Sequence, residues 1–152
     1  MKISEILVPQ TIQVAQRISS KIELIDALMT LACKTGKVID KDLVKAEVLK
    51  REEIMSTGIG DGIAIPHAKS NYVSDTICSI VILNESVEYN SIDGKPVNIA
   101  FLLLGRENNV GSHLRVLSKI SRFLSSKDNI ESLIKCKTPK DVYDYLVSID
   151  EK

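Results

Sequence analysis

The 152-residue sequence reads as one α/β domain spanning 1–152, built on a mixed β-sheet with helices on both sides. Three observations lead there. Val97 to Leu104 is a near-continuous apolar run, the mark of a central strand covered on both faces. Strand-like segments follow one another between Thr76 and Leu104, which breaks a regular βαβ alternation. They call for an antiparallel pair around the Asp93-Gly94 turn. Capped helical patterns stand before and after that stretch.

From the N-terminus, Ile3 to Val8 forms a helical turn before Pro9, and Thr11 to Val14 a first strand. Ser20 and Glu23 have the spacing of a capping box. The helix they start buries Ile22, Ile25, Leu28, Met29 and Ala32, and Gly36 stops it. Asp40 caps a second helix that runs through Leu43, Ala46 and Leu49 toward Glu53 and delivers Arg51 to the glycine-rich segment that follows. Ile63, Ala64 and Ile65 form a short buried strand ended by Pro66. Ala68 to Asp75 is a polar loop. Thr76 to Leu83 is a β-branched strand, and Val87 to Tyr89 a short one. After the loop Gly105 to Gly111, His113 to Leu124 carries Leu114, Leu117, Ile120 and Leu124 at helical spacing. Asp128 to Ile134 is a short helix. Thr138-Pro139-Lys140-Asp141 starts the last one, which buries Val142, Tyr145, Leu146 and Ile149.

Composition narrows the function. Lys+Arg and Asp+Glu number 20 each, so the basic excess of a protein that binds nucleic-acid phosphates is missing. Cys33, Cys78 and Cys136 are odd in number and far apart, which argues against disulfides and structural zinc and for a reducing cytoplasm. They read as core or semi-buried residues. No segment approaches the ~20 apolar residues of a membrane span.

The run Ser56-Thr57-Gly58-Ile59-Gly60-Asp61-Gly62-Ile63-Ala64-Ile65-Pro66-His67 holds the chemistry. Its glycines permit a sharp turn with exposed N–H groups, or simply join a helix to a strand. It matches neither the dinucleotide fingerprint, since Ile63 stands where a third glycine is needed, nor a phosphate loop of the Gly-Lys-Ser/Thr kind. No nucleophile elbow for a hydrolase is present. The two histidines, His67 and His113, lack metal-ligand spacing, and a metal-dependent enzyme using both is the weakest reading. His67, at a strand end, suits transient phosphorylation. His113, in the first turn of its helix, is either a surface residue or part of an anion site. Arg51 is either a solvated helix residue or a partner of that site.

Arg51-Glu52 with the Ser56–His67 run, and the downstream His113-Leu114-x-x-Leu117, resemble the signature of the enzyme IIA domains of the fructose–mannitol family of the bacterial phosphoenolpyruvate-dependent phosphotransferase system, over essentially the whole chain. The resemblance implies a phosphocarrier that takes phosphate from phospho-HPr on Nε2 of His67. The phosphate would pass to a cysteine of a IIB domain, which serves a membrane IIC permease for a fructose- or mannitol-type sugar. His113 would lie beside the phosphate and Arg51 would neutralise it. No cofactor and no metal are implied, and a homodimer is left open. The nitrogen-type regulatory IIA proteins share the signature and act by phosphorylation-dependent binding to other proteins. Ile59, Ile63 and Tyr72 are candidates for an apolar docking rim, with burial in the core an equal alternative for the first two.

Overall fold

The computed structural model describes residues 2–150. Two single-turn 3-10 helices, Ile3–Glu5 and Pro9–Thr11, lead into β1 (Ile12–Gln16), α1 (Lys21–Cys33) and α2 (Lys41–Ile54). Then follow β2 (Gly58–Gly60), β3 (Ile63–Ala64), β4 (His67–Ser70), β5 (Ile77–Val87) and β6 (Val97–Arg106). The chain closes with α3 (Val110–Leu124), α4 (Lys127–Lys135) and α5 (Pro139–Asp150). The expected mixed sheet is present. Its order is β1-β5-β6-β3-β2, with β4 also on β6.

β6 organises the molecule. It pairs antiparallel with β5 and parallel with both β3 and β4. Its side chains alternate between two apolar clusters. Ala100, Leu102 and Leu104 join Val81 and Leu83 under α1 and α2. Phe101 and Leu103 join Ile80 and Ile82 under α3, α4 and α5. Coverage on both faces is why the sequence of this strand is apolar without alternation. Among the polar groups buried with them, the Ser79 hydroxyl donates to the Leu28 carbonyl at 2.9 Å and ties β5 to α1.

Most expected elements form, with informative differences. Ser20 caps α1 by accepting from the Glu23 N–H, but the Glu23 carboxylate bonds Ser19 rather than Ser20. Ile22 is exposed, and Leu24 fills the core instead. On α3, Leu114 points to solvent and Val116 is buried. Val87 ends β5 after a register shift rather than opening a strand of its own. The largest correction is at 68–70, the first part of the segment 68–75 read as a loop; most of the rest of that segment is turn and bend. His67–Ser70 is a strand along β6, with Ala68 and Ser70 buried and Lys69 half-buried. Tertiary pairing with an apolar neighbour overrides the polar local composition. Pro66 interrupts that edge but does not break it, because its carbonyl accepts from the Leu103 N–H at 3.0 Å.

Candidate functional site

His67 opens β4 opposite Leu103 of β6, so its backbone is fixed to the central strand. Its Nδ1 lies 2.8 Å from the Ile65 carbonyl oxygen. A carbonyl can only accept, so Nδ1 carries the proton and the lone pair is on Nε2. The ring is half-buried. Burial depresses its pKa below the ordinary value; the Ile65 bond opposes this, the Arg51 charge adds to it, and Glu52 opposes it. A neutral ring at pH 7 follows.

His113 belongs to the first turn of α3, as expected, but it is not at the surface: only 4% of it is exposed. Its ring centroid is 5.9 Å from that of His67, with the planes inclined at 47°. Nδ1 is buried without a hydrogen-bond partner. It faces Gly105 of β6 so closely that a Cβ there would lie 2.6 Å from it. Burial, then the charges of His67 and Lys69, push the His113 pKa down to about 4. Arg51, in the last turn of α2, donates from Nη1 to the Met55 carbonyl at 2.9 Å. All three side chains line one cleft of about 540 Å³, together with Lys69, Ile54 and Leu114.

A two-histidine cleft on a mixed sheet, entered from the ends of two helices, is thus what the sequence folds into. The sequence profile described as "Phosphoenolpyruvate-dependent sugar phosphotransferase system, EIIA 2" matches residues 5–149. The chain belongs to this EIIA 2 family. Among curated relatives, the fructose-specific EIIABC component of Bacillus subtilis is 33% identical over 99% of this chain, which spans only 24% of that protein. The fructose-specific EIIA component of Haloferax volcanii is 32% identical, with 98% of this chain and 97% of that protein covered. Among solved structures, the nitrogen regulatory protein IIA-Ntr from Neisseria meningitidis superimposes with a TM-score of 0.88 at 33% identity, covering 95% of this chain and 98% of that one.

In this EIIA 2 chain the glycine run does not reach the cleft. Gly60, Asp61 and Gly62 all have positive φ (107°, 56° and 81°) and turn β2 into β3. Asp61 N–H donates to the Asp93 carboxylate at 3.1 Å, and a Cβ at Gly58 would lie 2.3 Å from the Ser91 hydroxyl. The glycines therefore dock the hairpin on the 89–94 segment, and residues 58–62 are absent from the cleft lining. Of the expected apolar rim, Ile59 and Tyr72 are exposed but Ile63 is 1% exposed and belongs to the core. The apolar groups at the cleft mouth are Ile54 and Leu114, 77% and 58% exposed. Their positions, three residues after Arg51 and one after His113, were the available signal.

Sequence reasoning also missed the role of Glu52. It is buried, and it accepts from the Thr57 N–H (3.1 Å), the Thr57 hydroxyl and the Tyr89 hydroxyl (2.9 Å). Lys21 pairs with it at 3.0 Å and lies 4.5 Å from the centre of the Tyr89 ring. Burial and the Glu52 charge push the Tyr89 phenol far up, so it stays protonated and donates. This knot fixes the end of α2, from which Arg51 projects.

Two expected outcomes follow from His113. The folded pKa, about 4, lies below the ordinary 6.5, so the folded state binds fewer protons than the unfolded one between these values. Its contribution is intact above pH 6.5 and lost as pH falls toward 4, with His67 acting in the same direction. Urea midpoints should fall across that window, and fall less in His113→Gln. Separately, Gly105→Ala gains roughly 0.4–1 kcal/mol from a stiffer unfolded chain, but overpacking against the ring costs about 1–3 kcal/mol. Net destabilisation with displaced His113 ring resonances is expected; an unchanged urea midpoint would remove the packing argument.

Proposed function

We propose that this chain is a phosphocarrier of a sugar phosphotransferase system, with the phosphoryl group borne on Nε2 of His67. The observation that carries the reading is the Ile65 carbonyl on Nδ1, which leaves Nε2 as the basic nitrogen of a neutral imidazole in an open cleft. In the transfer step the Nε2 lone pair attacks phosphorus of phospho-HPr, a new N–P bond forms, and the N–P bond to HPr breaks. The electron pair leaves with the HPr imidazole. The Nδ1 proton stays on the ring, held by Ile65. A ring that keeps this proton is a better leaving group, which favours onward transfer to the thiolate of a IIB cysteine. Arg51 balances the phosphoryl charge. His113, kept neutral, donates from Nε2, the nitrogen not sealed against Gly105. Ile54 and Leu114 offer HPr and IIB an apolar rim.

Among the described residues, no helix is long and apolar enough to cross a membrane. The proposed role is cytoplasmic, feeding a membrane IIC permease, and the similarity to fructose-specific components supports a fructose- or mannitol-type sugar. The test is incubation with phosphoenolpyruvate, enzyme I and HPr, followed by intact mass. One acid-labile phosphoryl group is expected, and transfer to purified IIB with sugar should discharge it. Arg51→Ala and His113→Ala should fold and slow charging by about 100–1000-fold, as loss of one transition-state donor does; unchanged rates would remove them from the site.

The similarity to IIA-Ntr supports a second reading, a regulatory protein whose binding to other proteins depends on phosphorylation. Charging by HPr without discharge to any IIB, and without IIB and IIC genes nearby, would favour it.

A further inference from the structure

Resting on that reading of the cleft, we infer that Lys69 is a second cationic binding residue for the phosphoryl group on His67. The argument begins with β4. His67 and Lys69 are two apart on a strand, so their side chains leave the same face. Their partners on β6 are Leu103 and Gly105, and Gly105 is the residue against which the His113 ring lies. Lys69 therefore shares one surface with both histidines, and it lines the same cleft as Arg51. Its ammonium is close enough for its charge to act on His113.

The charge balance needs such a group. A phosphoryl group on nitrogen brings close to two negative charges at neutral pH. Arg51 supplies one positive charge, and one arm of its guanidinium is committed to Met55. His113 cannot readily supply the other. Its Nδ1 is buried against Gly105 with no acceptor, so the imidazolium would bury an unsatisfied N–H. The remaining charged groups of the cleft are Lys50, Glu47 and Glu107. The carboxylates oppose the phosphoryl charge, and Glu47 accepts from the Ser70 hydroxyl at 2.9 Å. Lys50 is exposed, whereas Lys69 is half-buried beside the reacting ring. No carboxylate among the described residues forms an ion pair with Lys69. Its ammonium is uncommitted until the phosphoryl group arrives.

The experiment compares wild type, Lys69→Gln, Lys69→Arg and, as control, Lys50→Gln. Charging by phosphoenolpyruvate, enzyme I and HPr is timed by intact mass, and the phosphohistidine is titrated by phosphorus NMR. Lys69→Gln should slow charging about tenfold and raise the phosphoryl titration midpoint, because the dianion loses a cation. Lys69→Arg should restore both, and Lys50→Gln should change neither. A phosphoryl titration in Lys69→Gln that superimposes on wild type overturns the inference while leaving the carrier reading intact. So does an equal effect of Lys50→Gln, which would mean general surface charge. A wild-type chain that takes up no phosphoryl group overturns the carrier reading and this inference with it.

Discussion

His67→Gln is expected to abolish phosphoryl uptake altogether, with no added mass after incubation with phosphoenolpyruvate, enzyme I and HPr. An amide nitrogen has no basic lone pair, so the covalent route closes rather than slows. Glutamine is close in size to histidine, and its amide N–H can still donate to the Ile65 carbonyl that now holds Nδ1. The ring is half-buried at a strand edge, so the fold should lose no more than about 1 kcal/mol, in keeping with substitutions outside a packed core. Circular dichroism and the urea midpoint check that the variant is folded. A folded His67→Gln protein that is charged as well as wild type would displace the phosphoryl group to another residue.

The second large effect is on stability. Glu52→Ala removes one carboxylate, strands the Thr57 N–H, leaves the Tyr89 hydroxyl only its 3.2 Å contact with the Thr57 hydroxyl, and takes the counter-charge from the Lys21 ammonium. Breaking a buried pair by deleting one partner costs about 3–5 kcal/mol. Lys21 keeps 19% of its side chain exposed and can turn to water, which places the expected loss near the lower end, about 3 kcal/mol. Glu52→Gln keeps one acceptor oxygen and turns an amide NH2 toward the Thr57 and Tyr89 hydroxyls, which can rotate to accept from it, so a smaller loss of about 1–2 kcal/mol is expected. Urea unfolding of the two variants gives the comparison. Equal losses would mean that the charge, not the hydrogen bonds, holds the knot; no loss in Glu52→Ala would mean that the knot is incidental to the fold.

Much of this architecture was legible because it is written in local or periodic signals. Ser20, Asp40 and Pro139 mark helix starts through caps and a fixed φ. The apolar run at Val97 identifies a strand covered twice, and the cleft residues His67, His113 and Arg51 stand out by type and by the motif around them. What escaped depends on partners distant in sequence. β4 is a strand because β6 lies beside it, although His-Ala-Lys-Ser carries no strand signal. His113 is buried because Gly105 leaves room for its ring, a fit that no spacing reveals. Glu52 looks like one more helix carboxylate until Lys21, Thr57 and Tyr89 arrive from three other places. For the glycine run the plainer of its two readings holds: its conformational signal serves the turn and the docking of the hairpin rather than the cleft.

The attachment of both His67 and Gly105 to β6 has a further consequence. Reactive groups are commonly hung on loops, where partner recognition and chemistry drift together. Here the proposed nucleophile and the backing of its neighbour hang from the central strand, while Ile54 and Leu114 stand on helix ends around it. The rim can be rewritten for a new customer without moving the tool.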